Sequence, residues 1–148
     1  MNIYTVLLHI HSVFRYVALL LLVIAVFHSL YGFISSKRID KAGIRWSLLS
    51  LATFHVQVLV GILLYWLSPK VMLNASMFKV NILRFFTIEH GFVMLLAAIL
   101  ITVGYSKAKK SLPDKGYRII FIYYLIVLVL VLWAIPWPFK QALAAGWM

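Results

Sequence analysis

Four apolar runs, at about residues 3–34, 46–67, 82–105 and 119–135, dominate this chain. Each is near or above the roughly 20 residues that carry an α-helix across bilayer hydrocarbon. No water is available there to bond a peptide group, and a helix satisfies its N–H and C=O groups within one segment. The connections are short, which makes consecutive helices antiparallel neighbours. The expected fold is therefore all-α: a polytopic membrane protein forming a four-helix up-down-up-down transmembrane bundle, one domain over residues 1–148. The composition agrees, with 65% hydrophobic and 11% charged residues, more apolar than a soluble core of this size requires. No soluble domain, internal repeat or low-complexity tract is evident. The first run is overlong, so its amino end is expected to lie along the interface or the helix to tilt. It lacks the basic leader and small-x-small cleavage site of a signal peptide.

The formal net charge of +11 would point to nucleic acid in a soluble domain. Here Lys37, Arg38, Lys41, Arg45, Lys107, Lys109, Lys110, Lys115 and Arg118 cluster beside the connections after the first and third runs, against Lys70, Lys79, Arg84 and Lys140 at the other end. The positive-inside rule places the first set in the cytoplasm and both termini in the periplasm, across a bacterial inner membrane. The expected partner is the lipid bilayer, with no nucleic acid. The chain has no cysteine, which excludes disulfides, thiolate metal sites and covalent c-type haem. It also has no glycine-rich phosphate loop and no nucleophile–base–orienter set, so nucleotide and nucleophilic chemistry are unsupported. Ser68-Pro69, Pro113-Asp-Lys-Gly116 and Pro136-Trp-Pro138 read as helix stops and turns. Trp46, Tyr65, Trp66, Tyr105, Tyr117, Trp133 and Trp137 read as an aromatic belt.

Against this background, ionisable residues inside the runs stand out, because charge in hydrocarbon is costly and suggests a functional site. They are His11 and Arg15 on the first run and Glu89 and His90 on the third. His11 and His90 each lie eight residues from the outer end of their run, about 12 Å deep at 1.5 Å per residue. The first and third helices of an up-down bundle are parallel and diagonal, so the two imidazoles could face each other across the core. That arrangement suits a b-type haem with two imidazole ligands, each ring donating its other N–H to an acceptor. Ser12, Thr87 and Glu89 are nearby candidates for that acceptor.

His55 is a reserve ligand about a turn deeper, with an interhelical hydrogen bond as its alternative role. His9 points to another face, and His28, near the cytoplasmic end, reads as a headgroup or interhelical contact. Arg15 follows His11 by one turn on the same face. It could neutralise Glu89, meet a haem propionate, bind a quinone carbonyl, or form an Arg15–Glu89 ion pair that fixes the helix register. Arg84 could meet propionates or snorkel to the interface. Thr53, Gln57 and Gly61, and Gly91, Ala97 and Ala98, suit close helix packing or room for a flat macrocycle.

Four motifs carry a resemblance: His11-Ser-Val-Phe-Arg15-Tyr16, Gln57-x-x-x-Gly61-x-x-x-Tyr65, Arg84-Phe-Phe-Thr-Ile-Glu-His90 and Ile135-Pro-Trp-Pro-Phe139. Over essentially its whole length the chain resembles small bacterial four-span membrane proteins described as cytochrome b or cytochrome b561-like. The resemblance implies haem b, with His11 and His90 at the matching positions. The fourth run has no histidine, which departs from a two-haem scheme. The leading expectation is a one-haem electron carrier near the periplasmic face, between the quinone pool and a partner. The alternative is a cofactor-free accessory subunit of a respiratory or secretion complex, its His/Arg/Glu cluster locking the helices. A transition-metal site of His11, Glu89 and His90 ranks third, because adjacent Glu89 and His90 point about 100° apart on a helix.

Overall fold

The computed structural model describes residues 2–137 and 139; Pro138 and Lys140, used above as a helix stop and an outer basic residue, lie outside them. Four helices make up the fold: α1 (Ile3–Ile34), α2 (Lys41–Leu67), α3 (Asn81–Lys110) and α4 (Gly116–Ala134). All four are long and apolar enough to cross a membrane. The chain is thus a multi-pass integral membrane protein. Side chains such as Phe27, Leu59, Ile99 and Val129 turn outward, as contact with lipid requires.

The helices outrun their apolar stretches because hydropathy marks only the hydrocarbon, while a helix continues into the headgroup layers. Asp40 starts α2 five residues early, its carboxylate accepting the Gly43 N–H at 2.8 Å, a standard N-cap bond. At the far end of α3, Lys107, Lys109 and Lys110 occupy the last turn, where cations complement the helix dipole. The overlong first run is one unbroken helix from Ile3, as the tilt alternative allows, capped by the Asn2 side chain on the Thr5 N–H. Its other end closes with Ser36 in the left-handed region at φ 49° and with bonds from Ser36 N–H to the Phe33 carbonyl and Lys37 N–H to the Gly32 carbonyl. These are the two bonds of a Schellman cap.

Around the bundle, α1 packs most heavily on α2 and α3 on α4; α1 against α4 is intermediate, and α2 against α3 is lightest. This leaves α1 diagonal to α3, and α2 diagonal to α4. Leu22, Ala25, Phe54, Ala97, Ile101, Ile120 and Val127 fill the core. Fully buried Tyr124 of α4 reaches across it, donating to the Ser47 carbonyl of α2 at 2.8 Å.

The end holding the two basic connections is tied by Tyr117, which is 3% exposed and does not belong to an aromatic belt. A Cβ at Gly32 of α1 would come within 2.5 Å of its ring, and one at Gly43 of α2 within 2.7 Å, so only glycine admits the ring. The Tyr117 hydroxyl donates to Asp40 Oδ1 at 2.9 Å and lies 3.3 Å from His28 Nε2. The Ile39 N–H donates to the Pro113 carbonyl at 2.8 Å, joining the two connections.

Gly32→Ala is expected to destabilise the bundle by about 1–3 kcal/mol through overpacking. Thermal unfolding in detergent should show the loss, and a Tyr117→Ala background should remove most of it. The Gly43 amide and then the Tyr117 hydroxyl hold the Asp40 carboxyl below its ordinary value of 3.8. A depressed carboxylate stabilises the fold fully above its unfolded value and loses that contribution as pH falls through the folded one. Asp40→Asn retains a capping oxygen but removes the titration. Between pH 6 and 3 its melting temperature should fall less than that of the wild type.

Candidate functional site

The site lies at the opposite end, where two irregular stretches set His90. The first is a π turn over Phe85–Glu89 within α3, in which the His90 N–H reaches the Phe85 carbonyl five residues back. The extra residue rotates everything that follows by about 100° relative to a regular helix. It also leaves a carbonyl for another helix: Tyr65 of α2 donates its hydroxyl to the Thr87 carbonyl at 3.0 Å, while Thr87 Oγ1 accepts the Met72 N–H at 3.0 Å.

The second stretch is the end of α4. In a continuing helix the Leu132 and Ala134 carbonyls would bond the N–H groups of residues 136 and 138, but both are proline and have none. The Trp137 indole N–H takes the Leu132 carbonyl at 2.9 Å. His90 Nδ1 takes the Ala134 carbonyl at 2.9 Å. A carbonyl only accepts, so Nδ1 carries the proton and neutral His90 presents Nε2 as an open lone pair. Ala134 thus holds the role for which Ser12, Thr87 and Glu89 were candidates. The spacing of Ala134 to Pro138 is the sequence signal that could have revealed it.

His11, on α1, sits across the core from His90, with ring centroids 6.4 Å apart and planes inclined at 76°. On α2, a Cβ at Gly61 would lie 3.2 Å from His11 Cε1 and 3.7 Å from Nδ1. One turn deeper, Gln57 donates from Nε2 to the His11 main-chain carbonyl at 2.8 Å. Arg15 lies close enough for its charge to act on both imidazoles. Its guanidinium also stacks on the Tyr16 ring and donates to the Tyr16 hydroxyl at 3.1 Å.

The remaining candidates are placed elsewhere. Glu89 accepts from Arg84 Nε at 2.7 Å and so does not pair with Arg15. Residues five apart diverge by about 140° in an α-helix, and the intervening π turn brings these two together. With its carboxylate engaged there, Glu89 does not complete a metal site with His11 and His90; among the described residues no group of three or more His, Cys, Asp or Glu could hold a metal ion. His55 is also apart from the pair. Its Nδ1 donates to the Leu51 carbonyl at 2.8 Å and its Nε2 lies 3.2 Å from Thr102 Oγ1, a residue about 18 Å along α3 from His90. His9 is exposed. A Cβ at Gly91 would meet nothing within 4 Å, so that glycine serves no close helix contact. Ala97 is fully buried in the core.

No protein-family model, curated protein or solved structure matches this chain.

The donor set fits a metal held by two imidazoles. At roughly 2 Å per metal–nitrogen bond, two rings on opposite sides of one ion have their centres about 6 Å apart. The ring centres of the pair are 6.4 Å apart, one ring already has its second nitrogen bonded, and the Nδ1 of the other is buried without a hydrogen-bond partner among the described residues. Gly61 leaves the space that brings this second ring against α2.

The Arg84 and Glu89 side chains are 43% and 37% exposed on the outside of the bundle, and on a membrane span a charge left there without its partner is costly. Neutralising one partner alone, Arg84→Gln or Glu89→Gln, should therefore lower thermal stability in lipid more than the double change Arg84→Gln/Glu89→Gln does, because the double variant leaves no unpaired charge.

Proposed function

We propose that this protein is a one-haem b-type electron carrier of the bacterial inner membrane, with His11 and His90 as the axial ligands. The observation that carries the reading is the approach of these two imidazoles from diagonal helices at 6.4 Å. The resemblance to small four-span cytochrome b-like proteins supports it, since His11 and His90 stand at the matching positions. Haem b, when bound, would supply one-electron transfer, and with His11 and His90 both holding its iron it would pass electrons without binding oxygen.

The chain's own residues do the rest. The Ala134 carbonyl orients His90 and keeps the proton on Nδ1, as ligating histidines require. Gly61 lets His11 approach α2 closely. Arg15 supplies positive charge next to both rings, and Arg84 supplies it nearer the helix end, where the carboxylates of a haem would need balance. The apolar core excludes water and so tunes the potential. The charge asymmetry of the connections supports a site near the periplasmic face with both termini periplasmic. Quinone is the class of membrane-borne electron source this placement suits.

The test is a visible spectrum of detergent-purified protein made with haem precursor, oxidised and then reduced with dithionite. The expected result is a sharp b-type reduced spectrum that disappears in both His11→Ala and His90→Ala while the helical signal is retained. A full spectrum in either variant would overturn the ligand assignment. A colourless wild-type protein under haem-replete conditions would overturn haem binding and favour an accessory subunit of a respiratory or secretion complex.

A further inference from the structure

The basic end of the bundle carries an open cleft of about 410 Å³ lined by Ile39, Asp40, Lys41, Ile44 and Arg45. Lys41 and Arg45 are both exposed and, four residues apart, lie on one face of α2. Neither makes a hydrogen bond or an ion pair among the described residues. Other cations at this end are engaged: Lys37 donates to the Tyr31 hydroxyl at 3.3 Å and Lys107 to that of Tyr123 at 2.8 Å. The carboxylate in the lining, Asp40, is engaged as well, its Oδ1 accepting from the Gly43 N–H and from the Tyr117 hydroxyl. The cleft thus holds two uncommitted positive charges and one negative charge whose donors are already in place.

Depth says what such a cleft can meet. The apolar part of α2 begins at Trp46, so at 1.5 Å per residue Arg45 and Lys41 stand roughly 2 and 8 Å beyond it. The headgroup layer extends about 5–8 Å outside the hydrocarbon on each side, which sets both cations at the level of lipid phosphates. Ile39 and Ile44, each half-buried, add apolar wall to the same cleft. That wall is fixed before any ligand arrives: the Ile39 N–H donates to the Pro113 carbonyl at 2.8 Å, and its side chain fills the room that Gly116 leaves, where a Cβ would strike it. Cations beside apolar walls at this depth match a molecule in which phosphate is joined to hydrocarbon. A soluble anion would use the two charges and have no use for the isoleucines.

We propose that this cleft binds an anionic phospholipid, its phosphate held by Lys41 and Arg45 and its glycerol and upper acyl carbons resting on Ile39 and Ile44. Arg45 offers a planar fork of donors that matches phosphate oxygens, and Lys41 a mobile point charge. Basic pockets at the headgroup level suit such lipids, and each cation near an anionic surface is worth about fivefold in affinity. The site is independent of the imidazole pair and of any haem. It lies where the Ile39–Pro113 bond joins the two basic connections, so the bound lipid rests on the seam between the two helical hairpins.

The experiment is native mass spectrometry of the full-length protein in a neutral detergent, titrated separately with phosphatidylglycerol and with phosphatidylcholine of the same acyl chains. The wild type is expected to retain one phosphatidylglycerol in clear preference to phosphatidylcholine, and millimolar inorganic phosphate should leave that lipid in place. Lys41→Gln/Arg45→Gln should weaken retention by about tenfold or more. Lys109→Gln/Lys110→Gln, which removes two charges from the same end without touching the cleft lining, should keep it. The helical signal checks that each variant is folded. Equal retention of the two lipids by the wild type would overturn the proposal without recourse to any variant. An equal loss in the Lys109/Lys110 variant would show a diffuse effect of surface charge, and displacement by inorganic phosphate would show a site for soluble anions; either result would overturn it too.

Discussion

A main-chain carbonyl left over inside a bilayer has no water to turn to, and the architecture of this protein follows from where each one finds a donor. Two prolines strip donors from the end of α4, and Trp137 and His90 supply replacements from their side chains. A π turn opens α3, and Tyr65 answers it from α2. Tyr124 crosses the core to Ser47, and Gln57 joins α2 to α1 through His11. Where lipid removes most of the hydrophobic drive between helices, such bonds together with close packing give a bundle its register. The candidate site is thus built from the same bonds that hold the helices.

Much of this was legible in the sequence, for identifiable reasons. Apolar runs announce spans directly, and short connections dictate the ring of antiparallel neighbours. The meeting of His11 and His90 followed from equal depth on diagonal helices. The π turn was not legible, because the apolar face of a helix is read at one fixed period and five residues of Phe-Phe-Thr-Ile-Glu carry no mark of a changed one. With it went the partner of Glu89: a spacing of five from Arg84 means separation in a regular helix and contact in this one. Tyr117 was misjudged because a tyrosine at the edge of a span suits the interface and the core equally. What decides between them is Gly32 and Gly43, distant in sequence, whose missing side chains make the slot. The Ala134 carbonyl could have been found, since a proline four residues later removes its donor by covalent structure alone.

The two ends of the bundle use polarity differently. At the basic end, His28, Tyr117 and Asp40 form a linked set whose last member is exposed, so water and the connection share the charge. At the other end His90 lies against Phe85 and Phe86 and faces His11, and the Arg84–Glu89 ion pair is partly exposed on the outside of the bundle. The first arrangement ties loops together. The second sets two imidazoles side by side within the spans.

The uneven packing of the four helices also orders events in time. The heaviest contacts, α1 with α2 and α3 with α4, lie between consecutive helices, so each hairpin can form as soon as its second helix has been made. Contacts between neighbours in sequence cost less chain entropy to close than distant ones. His11 belongs to the first hairpin and His90 to the second, and the carbonyl that orients His90 comes from the final turn of the final helix. The pair therefore comes into being only when the last span has been inserted and the two hairpins have closed on each other. Until then its two halves lie on separate hairpins.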